Sequence, residues 1–291
     1  MTDHQPQPKA GMGPMLNAMT IDVEDYFHVS AFESMFTPDK WKDVECRVER
    51  NVDCLLRLFD QHDVKATFFV LGWVAEHYPD LIRRIVAQGH ELASHGTSHQ
   101  RATTQSEDEF RQDVESAKKL LEDIGGVEVQ GYRAPSFSFN KTNEWVYDVL
   151  ASVGYRYSSS VYPVKHDLYG VPDAPRTPYR TDNGFLEIPM STLTVGAKNI
   201  PVSGGGFFRL YPYLLTKFAV SRLNHREAMS HIFYLHPWEV DPEQPRVSGA
   251  PLKSRFRHYL NLKKVEPRLK RLMTDFKWGT MRDTFGLNID P

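Results

Sequence analysis

Ala66-Thr67-Phe68-Phe69-Val70-Leu71-Gly72 is an unbroken apolar run rich in β-formers, the pattern of a parallel strand covered on both faces. Upstream, from Asp43 to Gln61, Val44, Val48, Val52, Leu55, Leu56 and Phe59 recur at helical spacing, so a helix leads into that strand. Earlier still, Met19-Thr20-Ile21-Asp22-Val23-Glu24 reads as a short strand whose polar end gathers Asp22, Glu24 and Asp25. Downstream, Pro79 suits a first helical turn, Leu81, Ile82, Ile85 and Val86 form one stripe, and Gly89 ends the helix. His90-Glu91-Leu92-Ala93-Ser94 then forms a third strand, which delivers His95 to its C-terminal end.

The alternation continues. Ser106 and Glu109 make a capping box for a helix whose apolar face runs through Phe110, Val114, Ala117, Leu121 and Ile124, closed by Gly125-Gly126. A strand reaching Gly131-Tyr132-Arg133-Ala134-Pro135, a helix across Glu144 to Val153 and a strand around Tyr155-Arg156-Tyr157 follow. Such alternation implies parallel strands joined by right-handed crossovers, as an open doubly wound sheet or as a barrel. Residues 162–206 break into Pro-, Gly- and Asp-rich segments and are expected to be a long loop insertion over a site. A helix near Tyr213 to Asn224 and a strand over His231 to His236 come next. Leu252 to Arg282 reads as helical and basic, a solvated charged face on packing helices rather than a nucleic-acid surface.

At 291 residues and 41% hydrophobic content the chain can bury one large core. The expected organisation is a disordered tail over 1–15 and a single domain over 16–291, which includes the 162–206 insertion and a 252–285 C-terminal helical extension. The 35 basic and 37 acidic residues nearly cancel, so no global field recruits nucleic acid or an anionic membrane, and specificity must be local. Cys46 and Cys54 fall in the expected helix, where eight residues separate them by roughly 12 Å, too far for a disulfide. The polar start lacks a secretory pattern and no run approaches the ~20 apolar residues of a membrane span, so a cytoplasmic protein with no transmembrane segment is expected.

His95-Gly96-Thr97-Ser98-His99 sets two imidazoles four apart, a spacing that on a helical turn puts both on one face, and histidine is a common ligand of zinc-like metals. Ends of parallel strands are where α/β folds place their sites. Two histidines and one carboxylate would leave positions open for water and a substrate oxygen, with another acid free as a base.

The chain resembles the polysaccharide deacetylases, carbohydrate esterase family 4, with the NodB-homology fold, and looks most like the branch found beside exopolysaccharide export loci. The resemblance is carried by Thr20 to His28, Ala66 to Val70, Gly89 to His99, Gly131 to Pro135 and Leu235-His236-Pro237-Trp238-Glu239, with branch-like features at Gly204-Gly205-Gly206-Phe207-Phe208-Arg209. It implies a distorted (β/α)7 barrel and a divalent metal, usually zinc. By motif, Asp22 corresponds to the catalytic base, His95 and His99 to metal ligands, Arg133 to the arginine that holds the base, and His236 to the acid that protonates the leaving amine. A backbone N–H near Ser136 corresponds to an oxyanion donor. The implied partner is an N-acetylated glycan or a lipid-linked glycan precursor; nothing indicates an oligomeric state.

Three positions depart from the family pattern. The residue after the base is Val23, which cannot bind metal, so the third ligand is expected to be Glu24, on the Asp22 face of an extended strand, or Asp25 if the strand ends at Val23. Ser136 stands where a tyrosine is usual. The aspartate that tunes the proton donor should fall near Tyr157-Ser158-Ser159-Ser160, which holds only hydroxyls; Asp167 or Asp173 are the substitutes within reach of the sequence. Trp238, Phe137, Phe207 and Phe208 are candidates for stacking on a sugar face, and His28 and His166 for the pocket rim. Competing readings are an amidase for a small linear or cyclic amide and a non-catalytic carbohydrate-binding protein.

Overall fold

The computed structural model describes residues 15–167 and 169–287; apart from Met15, the tail expected over 1–15 lies outside the described residues. The strands are β1 (Leu16–Val23), β2 (Thr67–Val70), β3 (Glu91–Ser94), β4 (Gly131–Tyr132), β5 (Tyr157–Ser158), β6 (Tyr179–Arg180), β7 (Leu186–Glu187), β8 (Thr192–Val195), β9 (Lys198–Pro201), β10 (Ile232–Leu235) and β11 (Lys277–Gly279). The helices are α1 (Val48–Gln61), α2 (Gly72–His77), α3 (Pro79–Ala87), α4 (Glu107–Gly125), α5 (Val146–Val153), α6 (Gly205–Leu210), α7 (Tyr213–Arg226), α8 (Leu252–Tyr259), α9 (Val265–Asp275) and α10 (Met281–Phe285).

Seven strands run parallel in the order β10-β1-β2-β3-β4-β5-β7, and β6 adds an antiparallel edge to β7. The order follows the chain around a curled sheet, which is the expected distorted (β/α)7 barrel and excludes the doubly wound alternative. Among the described residues no ladder joins β7 to β10. Serine side chains span that seam instead: Ile232 N–H donates to Ser191 Oγ at 2.8 Å, and Ser203 Oγ lies 2.6 Å from the Ile232 carbonyl.

β2 reads apolar throughout because all four of its residues are buried, with helices on one side and the barrel interior on the other. The capping box of Ser106 and Glu109 opens α4, and Gly126 ends it in the left-handed region. α1 starts at Val48 rather than near Asp43, which leaves Cys46 outside the helix; both cysteines are free thiols.

Residues 162–206 are not structureless. They contain β6 to β9, and β7 is a barrel strand that pairs with β5 from Tyr157↔Leu186 to Ser158↔Glu187. Two paired residues are too few to show a strand period, which is why the segment reads as loop. The C-terminal extension expected as helix over 252–285 holds α8, α9 and α10 but is interrupted by β11. β2 covers only Thr20 to Val23 of β1, and β11 pairs with Leu16 to Ala18, the part of that edge left open, while β10 holds Ala18 to Ile21 from the other side.

Candidate active site

The site forms at the C-terminal ends of β1, β3, β4 and β10. β1 ends at Val23, and Glu24 N–H turns back onto the Asp22 carbonyl at 3.0 Å. The strand therefore stops where Asp25 was expected to swing inward, yet the tight turn carries Glu24 to the site. Asp25 is engaged elsewhere: its carboxylate accepts from Tyr26 N–H at 2.7 Å and from Arg47 N–H, and its own N–H donates to His28 Nδ1 at 2.8 Å.

His95 follows β3 directly and places Nδ1 2.8 Å from the Arg133 carbonyl. Nδ1 is then the protonated nitrogen and Nε2 keeps its lone pair. The two histidines do not share a helical turn. Gly96 at φ +76° and His99 at φ +55° fold the segment back, bringing the rings to 5.4 Å between centroids. Asp113 on α4 fixes that loop, its two carboxylate oxygens 3.1 and 3.2 Å from Thr97 N–H. Gly96 is required twice over, since a Cβ there would stand 2.7 Å from Asp113 Oδ2.

Glu24, His95 and His99 each offer a donor atom, all within 4.8 Å of one another. Glu24 Oε2 lies 2.7 Å from His99 Nε2, but the contact is too poorly aligned for a hydrogen bond, so this buried oxygen has no donor among the described residues. Burial would push the Glu24 carboxyl upward, but His99 and His236 outweigh it and hold it well below the carboxylate range; burial depresses the His95 imidazole to about 4. A buried carboxylate oxygen with no hydrogen-bond donor among the described residues, beside one nitrogen each of His95 and His99, suits a divalent cation of the zinc type.

Asp22 lies beside this group on Arg133, which is fully buried. Arg133 Nη1 donates to Asp22 Oδ1 at 2.6 Å and to Thr20 Oγ1 at 2.8 Å, while Nε donates to the Ser159 carbonyl at 3.1 Å. The guanidinium also lies 4.1 Å over the Phe69 ring. Four anchors leave the arginine a single geometry, which aims the Asp22 carboxylate.

His236 ends β10 and faces Glu24 Oε1 across 3.4 Å through Nε2. Its Nδ1 lies 2.9 Å from Glu239 Oε1, and Arg209 Nε holds the other Glu239 oxygen at 2.7 Å. Burial pulls the His236 pKa down, but Glu24 and Glu239 overcome it and raise it to about 9; burial lifts Glu239, but Arg209 and His236 bring it to about 2. Glu239 and Arg209 therefore fill the place of the aspartate sought near Tyr157 to Ser160. Both stood in quoted motifs, and the i, i+3 spacing from His236 to Glu239 was the signal for the pairing. Asp167 and Asp173 do not substitute: Asp167 pairs with Lys253 at 2.8 Å and Asp173 with Lys141 at 3.8 Å, all exposed side chains.

Several aromatic expectations fail on burial. Trp238 is 4% exposed, with its ring stacked 5.1 Å from His236 and 4.1 Å from His258, so it supports the site from beneath and has no free face for a sugar. Phe137 and Phe208 are core residues. His28 is buried between Trp41 and Trp73 rather than on a rim. Ser136 sits at φ +56° in the loop after β4, with its hydroxyl 2.6 Å from Ser30 Oγ. Clefts of about 570 and 600 Å³ lie elsewhere, around Trp145 and Tyr179 and around Glu49 and Arg84.

The family described as polysaccharide deacetylase matches residues 37–158, and a domain of unknown function, DUF3473, matches residues 159–286. A peptidoglycan-N-acetylglucosamine deacetylase of Bacillus cereus is 36% identical over 81 residues, 28% of this chain and 30% of that protein. The chain thus spans under a third of that relative's length. A Mycobacterium smegmatis structure assigned to the polysaccharide deacetylases superposes with a TM-score of 0.61 at 21% identity, covering 100% of this chain and 96% of that one. A CE4 family pseudoenzyme from Bacillus anthracis superposes at 0.51 with 15% identity, covering 93% of this chain and 65% of that one. At these identities the superpositions establish a shared fold.

Proposed function

We propose that this chain, a member of the polysaccharide deacetylase family, removes the acetyl group from an N-acetylhexosamine unit of a polysaccharide or its lipid-linked precursor. Its likeness to the exopolysaccharide branch makes such a polymer the preferred substrate class. The observation that carries the reading is the convergence of Asp22 on Arg133, the Glu24, His95 and His99 triplet, and His236 on Glu239 at one mouth of the barrel.

His95, His99 and Glu24 would hold a divalent ion, zinc by the chemistry of two imidazoles and one carboxylate. When bound, such an ion supplies Lewis acidity toward the acetamide oxygen and makes a water more acidic. Asp22 takes the proton from the attacking water as the water oxygen bonds to the carbonyl carbon. The backbone N–H of Ser136 is assigned to the oxyanion that develops there. The carbon–nitrogen bond then breaks while His236 Nε2 gives its proton to the departing nitrogen, leaving acetate and a free amine. Glu239 fixes the opposite ring nitrogen, so Nε2 is the one directed into the site.

Metal-loaded protein should release acetate from chitooligosaccharide, peptidoglycan or an N-acetylglucosaminyl lipid, and His95→Ala should abolish the release. No release from any of them, or equal release by the variant, overturns the assignment.

A further inference from the structure

The near-zero net charge conceals a local asymmetry. Residues 205–226 hold four Lys or Arg and no Asp or Glu, and residues 246–264 hold six and none, in a chain whose acids otherwise outnumber its bases. The same two stretches expose Leu210, Leu214, Leu215, Phe218, Leu252 and Phe256, each with more than half of its surface open. α7 is apolar on both sides: Ala219, Val220 and Leu223 face the protein while Leu214, Leu215 and Phe218 face out. A monomeric surface scatters such residues singly, whereas Leu214, Leu215 and Phe218 stand together on one helix among cations, which marks a place that meets something apolar and anionic.

The two stretches are joined. Arg209 at the end of α6 donates through Nη1 to the carbonyls of Arg257, His258 and Leu260 at the end of α8, and Asn261 Nδ2 donates back to the Arg209 carbonyl at 2.9 Å. The surface also adjoins the site, because Arg209 holds Glu239, and His258 stacks on Trp238 beneath His236.

We propose that the α6–α8 face seats on an anionic lipid surface, with the leucine and phenylalanine side chains entering the headgroup boundary and the basic residues meeting the phosphates. Arg226, Arg255, Lys263 and Lys264 are exposed and, among the described residues, make no ion pair, so their charge is available to lipid. Lys/Arg interleaved with exposed Leu and Phe on helices is the pattern of peripheral, interfacial binding. Among the described residues no helix is long and apolar enough to cross a membrane. Docking this face would bring the His236 side of the site close to the bilayer, where a lipid-linked glycan presents its sugar. The surface stands independently of the reaction proposed above.

The test is sedimentation of the full chain with vesicles of phosphatidylcholine alone and of an equal mixture with phosphatidylglycerol, at low and high salt. The chain should pellet with the mixed vesicles only, and high salt should release part of it. Leu214→Ser with Phe218→Ser, and separately Lys263→Glu with Lys264→Glu, should each weaken binding about tenfold or more, with unchanged thermal melting. Protein that stays in solution with the anionic vesicles overturns the inference, as do variants that pellet like the wild type. A solution mass showing a dimer that Leu214→Ser with Phe218→Ser converts to monomer also overturns it, since the face then covers a second copy. Loss of acetate release has no bearing on this measurement.

Discussion

Glu239 Oε1 serves both the backbone N–H and the ring Nδ1 of His236, at 3.1 and 2.9 Å, while Arg209 occupies the second oxygen of the same carboxylate. His236, the proposed proton donor, is thus held from within its own motif. Gly205 protects the arrangement, because a side chain there would collide with both Glu239 oxygens.

Glu239→Gln removes a negative charge that raises the His236 pKa while keeping the shape of the side chain. The acid form of His236 is present below its pKa, so the alkaline limb of the kcat profile should move to lower pH. The rate at neutral pH should fall by roughly 100-fold, the lower end of the range for lost general-acid help. A steady-state pH profile of the variant checks this; a lower rate with the limb unmoved points to a structural role alone.

Glu24 and Asp25 are separable by one measurement. Glu24→Gln should lose most of its zinc affinity, and Asp25→Asn should keep it but melt at lower temperature, because Asp25 ties Tyr26 and Arg47 into the loop after β1. Competition with a chromophoric chelator reads the first and thermal melting the second. Zinc loss in Asp25→Asn with a normal Glu24→Gln would reverse the ligand assignment.

Legibility followed element length. β1, β2 and β3 stood out because four to seven buried residues make a pattern, whereas β4, β5 and β7 are two residues each and owe their pairing to neighbours distant in sequence. His95 and His99 were legible as a pair although the helical turn invoked for them is absent; two positive-φ residues bring the rings together instead. Glu24 could not be separated from Asp25, because the deciding fact is a turn onto Asp22 and the capture of Asp25 by Arg47, a partner from 22 residues away. Arg209 escaped for the same reason: its contact with Glu239 spans 30 residues.

The loop between the two histidines should be sensitive at positions that touch no substrate. Gly96→Ala introduces a Cβ against Asp113 and strains a left-handed backbone, and Asp113→Ala frees Thr97. Either change should cost roughly 10–100-fold in zinc affinity, as losses of supporting contacts around metal ligands do. The same chelator competition reads the effect, and an affinity equal to wild type would show that the loop is held by other contacts.

Acid should weaken the fold through histidines that lie outside the site. His90 and His231 are buried, and desolvation depresses their pKa values to about 4 and about 3, below the 6.5 of the unfolded chain. Neither ring nitrogen of His231 has a hydrogen-bond partner among the described residues. Below pH 6.5 the unfolded state takes up protons that the folded state refuses, so their contribution is complete above that pH. It declines as pH falls, by up to about 1.4 kcal/mol per pH unit for each group. His231→Phe removes one such group together with its undonated nitrogens. It should stabilise the protein by roughly 1–3 kcal/mol at neutral pH and flatten the fall in stability between pH 6.5 and about 4. Urea denaturation of both proteins across that range measures the two slopes, and parallel curves would exclude His231 as a source of acid sensitivity.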